Sequence, residues 1–200
     1  MIKNIILDFG DIFINLDKTA TAREMTKYGF KQTTPKLETL FNTYEKGGIS
    51  SEEFLETTGA LFPKATKQNL TDSWNAILLD FPDYRLEFLE KLALENKYRL
   101  FLLSNTNDIH IEYVKATMGE EKFNRFKNPF EVFYLSYEMG MRKPDTEIFQ
   151  FVLRKNKLKA SETLFVDDTK ENTDSAAALG IKVWNLQVGK EDITDLKAHL

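Results

Sequence analysis

The sequence predicts an α/β protein, a doubly wound, mostly parallel sheet with a small helical cap inserted after its first strand. Two observations carry this expectation. Five short runs rich in Leu, Val, Ile or Phe recur along the 200 residues, most of them separated from the next by helical patterns. That alternation builds parallel strands joined by right-handed crossovers. The stretch between the first and second runs is far longer than one crossover helix requires, and it carries helical periodicity and no further strand.

Taken in order, residues 3–9 (Lys-Asn-Ile-Ile-Leu-Asp-Phe) form an apolar run that stops at Asp8 and Gly10, a buried strand feeding a turn. Residues 17–29, 34–46, 51–59 and 67–80 have helical periodicity, and Ser50-Ser51-Glu52-Glu53 has the form of a capping box starting the third. Residues 15–80 are therefore expected to be a four-helix cap domain. Asp83–Asn96 is then the helix that returns the chain to an α/β core of residues 1–14 and 81–200. The alternative is that these helices simply thicken the main core. A second strand is expected at Tyr98–Ser104, followed by a helix over Thr106–Met118, and further strands at Val132–Ser136, Thr163–Asp167 and Lys182–Leu186. Phe123–Phe133, with four Phe residues and Pro129, reads as a loop closing over the core.

Composition narrows the function. A hydrophobic content of 42% with 12% aromatics fills a core and excludes a disordered chain. The 27 basic and 31 acidic residues are mixed along the sequence and leave a net charge of −4, which argues against nucleic acid as a partner. The absence of cysteine removes disulfides and thiolate metal sites and points to a reducing compartment. The short apolar run at the N-terminus fits neither a signal peptide nor a membrane span, so a cytoplasmic protein without a membrane partner is expected. Oligomeric state is not legible.

In an open α/β sheet, ligands bind beyond the carboxyl ends of the strands. Four such places carry reactive groups: Asp8; Ser104 with Asn105; Lys143, shortly after the third strand; and Asp167 with Asp168. A single Asp after a strand is more often a helix N-cap or a turn carboxylate than a catalyst. The conjunction is what points to a site. If the strand ends converge, Asp8, Asp167 and Asp168 put up to three carboxylates at one mouth, which is costly unless a cation neutralises them. Oxygen donors without Cys or His select a hard cation, and a few carboxylates completed by water and phosphate suit Mg²⁺. Lys143 supplies a compact positive charge for a phosphate or a carboxylate nucleophile. Ser104 and Asn105 lead into a helix whose hydroxyl, amide and N–H groups can face an anion. The expected ligand is a small phosphate ester, with Asp8 attacking phosphorus to give an aspartyl-phosphate that water hydrolyses.

The segments Asp8-Phe-Gly-Asp-Ile-Phe, Leu103-Ser-Asn-Thr-Asn107, Gly140-Met-Arg-Lys-Pro-Asp145 and Phe165-Val-Asp-Asp-Thr169 resemble, in this order, the four motifs of the haloacid dehalogenase-like hydrolase superfamily. The insertion looks like that family's small four-helix cap. Glu45-Lys-Gly-Gly-Ile-Ser50 is similar to a stretch of the bacterial sugar-phosphate phosphatases related to α-glucose-1-phosphatase. The resemblance implies a Rossmann-like core and a magnesium-dependent phosphatase, acting on sugar phosphates. Asp8 would be nucleophile and metal ligand, Ser104 and Asn105 the phosphate-binding pair, and Lys143 the cation bridging phosphate and nucleophile. Asp168 would be the main acidic magnesium ligand, Asp167 would assist directly or through water, and Gly10 would offer its carbonyl. Asn172 falls where many relatives keep a supporting polar group.

One position departs from the family's commonest pattern. Most of its phosphatases place an Asp two residues after the nucleophile as general acid and base, where this chain has Gly10. Loss of such a group typically forfeits about 10²–10⁴ in rate. The sugar-1-phosphate branch tends to have Gly here, and an anomeric oxygen, a good leaving group, lessens the need for an acid. Asp11 is either a displaced acid or a solvent-facing turn residue, and the turn is favoured. His110 and His199 are expected at the surface, and Trp74, Phe62 and Phe81 in packing. The alternatives to a phosphatase are a weakly catalytic phosphate-binding or regulatory protein, an L-2-haloacid dehalogenase and a phosphomutase. The Asp167-Asp168 pair counts against the dehalogenase and Gly10 against the mutase.

Overall fold

The computed structural model describes residues 1–200. Five strands, β1 (Asn4–Leu7), β2 (Arg99–Ser104), β3 (Val132–Leu135), β4 (Thr163–Asp167) and β5 (Lys182–Asn185), form one sheet in the order β3-β2-β1-β4-β5. Every pairing is parallel. The doubly wound expectation holds, with β1 at the centre where the strand order reverses, so the crevice of such folds opens beyond its carboxyl end.

The strands read as unbroken apolar runs because both faces of the sheet are covered. Alternate residues go to opposite sides: Ile5, Leu7, Leu102 and Val166 join one core layer, and Ile6, Phe101, Leu103 and Phe165 the other. Between β1 and β2 run α1 (Ala20–Met25), α2 (Pro35–Glu45), α3 (Ser51–Leu61), α4 (Lys67–Asn75) and α5 (Asp83–Leu94). Then come α6 (Asp108–Met118) and α7 (Glu120–Lys127) before β3, α8 (Ser136–Met139) and α9 (Thr146–Lys155) before β4, and α10 (Lys170–Ala177) before β5. Leu86, Leu89, Ile111, Val114 and Phe126 of α5, α6 and α7 cover the first layer; Ile148, Phe149, Val152 and Ala176 of α9 and α10 cover the second.

The segment expected as a loop over Phe123–Phe133 is instead largely helix α7 and the start of β3. Phe123 and Phe126, three apart, share one buried face, acidic residues open the helix and basic ones close it, and Pro129 follows its end. The Phe126 ring lies 5.1 Å from the rings of Phe9, Phe13 and Phe81. Aromatic density here marks a helix face in the core.

Helices α1–α4 gather on their own apolar cluster of Met25, Leu37, Phe62 and Leu70. Their starts are set by Thr34, Ser50 and Thr66, each of whose side chains accepts the N–H three residues on. The last of them ends at Asn75, short of the expected residue 80, because the chain there turns extended. Asp17 N–H donates to Ile77 O, Leu79 N–H to Asn15 O and Asn15 N–H to Asp80 O, each at 2.9 Å. The outgoing and returning segments thus form a two-stranded antiparallel neck, with Leu16 opposite Leu78.

The turn between α2 and α3 leans on the core at Gly47, which has a φ of +67° and passes so close to α8 that a Cβ would lie 2.0 Å from Tyr137 O. Gly47→Ala is expected to cost about 1–3 kcal/mol in strain and displacement, measured by urea unfolding; an unchanged midpoint would mean that this contact does not hold the turn in place. No helix is long and apolar enough to cross a membrane.

Candidate active site

The central strand delivers the first functional group. Asp8, one residue past β1, still donates its N–H to Val166 O at 3.0 Å, so its position is fixed by the sheet. The chain then turns at Asp11, whose φ of +55° is one an Asp tolerates. The turn expected at Asp11 is present, but its side chain does not face solvent. It is buried at 6% exposure, Oδ1 accepts the Leu16 N–H at 3.0 Å, and Oδ2 lies 3.1 Å from the Lys18 ammonium.

Lys143 reaches the same place from the loop after α8 and is 1% exposed. Its Nζ lies 2.7 Å from Asp8 Oδ1 and 2.6 Å from Asp167 Oδ2, and donates to Leu103 O at 2.8 Å. Asn105 positions it: the side-chain amide donates to Lys143 O at 2.8 Å and accepts the Lys143 N–H at 2.9 Å. The Asn105 side chain is therefore committed to the lysine backbone, while Ser104 Oγ has only a 3.5 Å contact with Asn105 O and remains available at the mouth.

Asp167, fully buried at the end of β4, is equally committed. Its Oδ1 accepts from Thr169 N–H (2.8 Å) and Asn172 Nδ2 (3.1 Å), and its Oδ2 from Asn172 Nδ2 (3.0 Å) as well as Lys143. Asp168 is paired with Lys18, which arrives from the start of the insertion. One carboxylate oxygen from each of Asp8, Asp167 and Asp168 falls within 4.8 Å of the others.

The charges do not balance. Four carboxylates, Asp8, Asp11, Asp167 and Asp168, face two ammonium groups, Lys18 and Lys143. Two negative charges are in excess, the amount one divalent cation neutralises. Burial pushes the Asp8 carboxyl up to about 7 against the pull of Lys143, with Asp167 and Asp168 adding to the rise. Burial also raises Asp168, opposed by Lys18. Burial alone would lower the Lys143 ammonium, but Asp167 and Asp8 reverse it and the group is raised. All donors are oxygens, so the set fits magnesium in kind and in charge.

Sequence reasoning missed the groups that join the insertion to this site. His110 is no surface residue: its ring stacks on Trp74 with centroids 5.4 Å apart, Nε2 lies 3.0 Å from Trp74 O, and Nδ1 lies 3.1 Å from Asn107 Nδ2. Trp74 does more than pack, since its indole N–H donates to Asn107 Oδ1 at 3.2 Å. Asn107 caps α6, a role its type could have announced. Glu45 of α2 lies 2.9 Å from Arg142, beside Lys143. His199 remains exposed and stacks on Trp184. A cleft of about 110 Å³ is lined by Gly10, Ser104, Asn105, Glu45 and His110.

Burial lowers the His110 imidazole from 6.5 to about 4, against the bond to Trp74 O. Between those pH values the unfolded chain takes up a proton that the folded chain refuses. The stability from this site is therefore complete above pH 6.5 and is lost as the pH falls toward 4. NMR titration is expected to show the His110 ring still neutral at pH 5; an ordinary imidazole titration there would contradict the burial.

The family described as haloacid dehalogenase-like hydrolase matches residues 5–186. The chain belongs to that family. D-ribitol-5-phosphate phosphatase of Bacteroides thetaiotaomicron is 28% identical over 197 residues, covering 96% of this chain and 95% of that protein. A crystal structure of an HAD family enzyme from the same organism superposes with a TM-score of 0.83 at 36% identity, covering 98% of both chains. An Asp-to-Ala mutant of that enzyme, in complex with magnesium and inorganic phosphate, gives 0.81 at 35%, covering 96% of both. This chain is thus an enzyme of the haloacid dehalogenase-like hydrolase family, and magnesium is the cofactor its carboxylate cluster fits.

Proposed function

We propose that this enzyme is a magnesium-dependent phosphatase of small monoesters, of the sugar and sugar-alcohol phosphate kind, working through an aspartyl-phosphate on Asp8 beneath a cap of residues 15–80. The observation that carries this is the Lys143 ammonium fixed between Asp8 Oδ1 and Asp167 Oδ2 at the crevice of the sheet. It neutralises the nucleophile's neighbourhood while 12% of the Asp8 side chain stays accessible. The relative named for D-ribitol 5-phosphate supports the substrate class.

In this mechanism an Asp8 oxygen attacks phosphorus, the bond to the alcohol oxygen breaks, and the alkoxide takes a proton from water. A second water attacks the phosphorus of the aspartyl-phosphate, releasing inorganic phosphate and restoring Asp8. Lys143 and the Ser104 hydroxyl hold the phosphoryl oxygens, and Asn105 keeps Lys143 in place. Asp8, Asp168 and the Gly10 carbonyl would hold the magnesium ion, which would supply charge to offset the carboxylates and the incoming phosphate. Asp167, whose oxygens are engaged, positions Lys143 and would assist the metal through water.

Hydroxylamine trapping during turnover tests this: a hydroxamate at Asp8, found by mass spectrometry, together with magnesium-dependent phosphate release from D-ribitol 5-phosphate or glucose 1-phosphate, is the expected result. Metal-independent release without label would sink it. The missing acid has a structural correlate, because a Cβ at Gly10 would lie 2.7 Å from Leu16 Cδ1. Gly10→Asp combined with Leu16→Ala is expected to raise turnover of alkyl esters by about 10²-fold or more, whereas Gly10→Asp alone gains less; equal rates in both variants and wild type would show that leaving-group protonation does not limit the reaction.

A further inference from the structure

Within the cap helices lies a second cavity, of about 240 Å³, walled by Met25, Phe30, Phe41, Phe62, Leu70 and Trp74. It reaches toward the carboxylate cluster, since Lys18, which pairs with Asp168, stands in its wall, and Glu45, Ile77 and His110 line both it and the cleft beside Ser104. Most of the polar groups in its walls are engaged elsewhere; the Thr33 hydroxyl and one Glu45 oxygen are the exceptions. The Thr21 hydroxyl donates to Trp74 O at 3.3 Å, the Thr58 hydroxyl to Phe54 O at 2.7 Å, and the Trp74 indole to Asn107 Oδ1 at 3.2 Å. Both His110 nitrogens have partners, Glu45 is paired with Arg142, and Lys18 with Asp168. A polyol carried between these walls loses its water and finds few groups to replace it, whereas hydrocarbon loses nothing. An apolar cavity of about 150 Å³ is enough to hold benzene, so this one takes a ring with several further carbons.

We propose that this chamber is a subsite for an apolar alcohol moiety, and that the enzyme hydrolyses monoesters of medium-length or cyclic alkyl alcohols in addition to polyol phosphates, with the phosphate at Asp8 and the tail in the chamber. The proposal rests on the phosphatase mechanism at Asp8 and extends its substrate class.

The test is a series of ethyl, butyl, hexyl and cyclohexylmethyl phosphates, whose alcohols ionise alike, so that differences report the tail and not the departing oxygen. kcat/KM is expected to rise by up to about fourfold per methylene, placing the hexyl ester more than tenfold above the ethyl ester, mainly through KM. Thr58→Phe, which fills the chamber, is expected to flatten the series. In Asp8→Asn protein, hexyl phosphate is expected to change tryptophan fluorescence saturably, at lower concentration than ethyl phosphate, and Trp74→Phe to remove the change. Hydrolysis of ethyl phosphate or D-ribitol 5-phosphate with a flat or falling alkyl series overturns the chamber and leaves the phosphatase standing. No hydrolysis of any ester, with chain-length-dependent Trp74 quenching retained, overturns the phosphatase and keeps the chamber. If Thr58→Phe does not fold, the wild-type series and the fluorescence titration decide.

Discussion

Asp8→Asn is expected to lower phosphate release by about 10⁴-fold or more, because an amide of the same shape cannot attack phosphorus. The fold is expected to survive. The substitution removes one of four carboxylates crowded around two ammonium groups, and it removes the one that burial pushes up to about 7. A carboxyl raised from 3.8 to about 7 holds its proton in the folded chain where the unfolded chain has released it, so the contribution of Asp8 to wild-type stability is greatest at low pH and falls as the pH rises through that window. In magnesium-free buffer the variant should therefore match the wild type at pH 4 and exceed it at pH 8. Added magnesium should close the gap by favouring the ionised Asp8. Thermal melts at both pH values, with and without the metal, check this; a variant less stable at pH 8 would mean that the Lys143 pairing outweighs the crowding.

Lys143→Met is expected to be the most destructive single change, costing about 3–5 kcal/mol of stability at neutral pH, as removal of one partner from a buried ion pair does, together with nearly all activity. Methionine fills most of the space, but Asp8 and Asp167, which lie 2.7 and 2.6 Å from the ammonium, then face each other without a cation. Part of the loss should return as the pH is lowered and one of them takes a proton. Adding Asp8→Asn should also return part of it, a coupling that a urea-denaturation double-mutant cycle measures. A cost below about 1 kcal/mol would show that Asn172 and the Thr169 N–H suffice to hold Asp167.

The sheet was readable because β1, β2 and β4 are covered on both faces and so carry unbroken apolar runs, and the helices of the insertion because of their periodicity and the start marked by Ser50. That Asp8, Lys143, Asp167 and Asp168 would meet was readable because a parallel sheet brings its carboxyl ends together whatever the loops do. What stayed hidden is set by contacts across the chain. Lys18 pairs with Asp168 from the start of the cap, Asn105 turns toward the Lys143 backbone, and His110 is enclosed by Trp74 and Asn107. No local pattern encodes such orientations. Helix α7 was hidden for a different reason, since clustered phenylalanines with a proline look alike in a loop and on a core-facing helix.

The neck formed by Asn15–Asp17 and Ile77–Asp80 makes the cap a closed excursion that leaves and rejoins the sheet between hydrogen-bonded neighbours. The strand that carries Asp8 consequently experiences the same anchoring whatever chain is looped above it, and the entropy of closing that loop grows only logarithmically with its length. An insertion of different size or lining could therefore be grafted onto the same neck without moving Asp8.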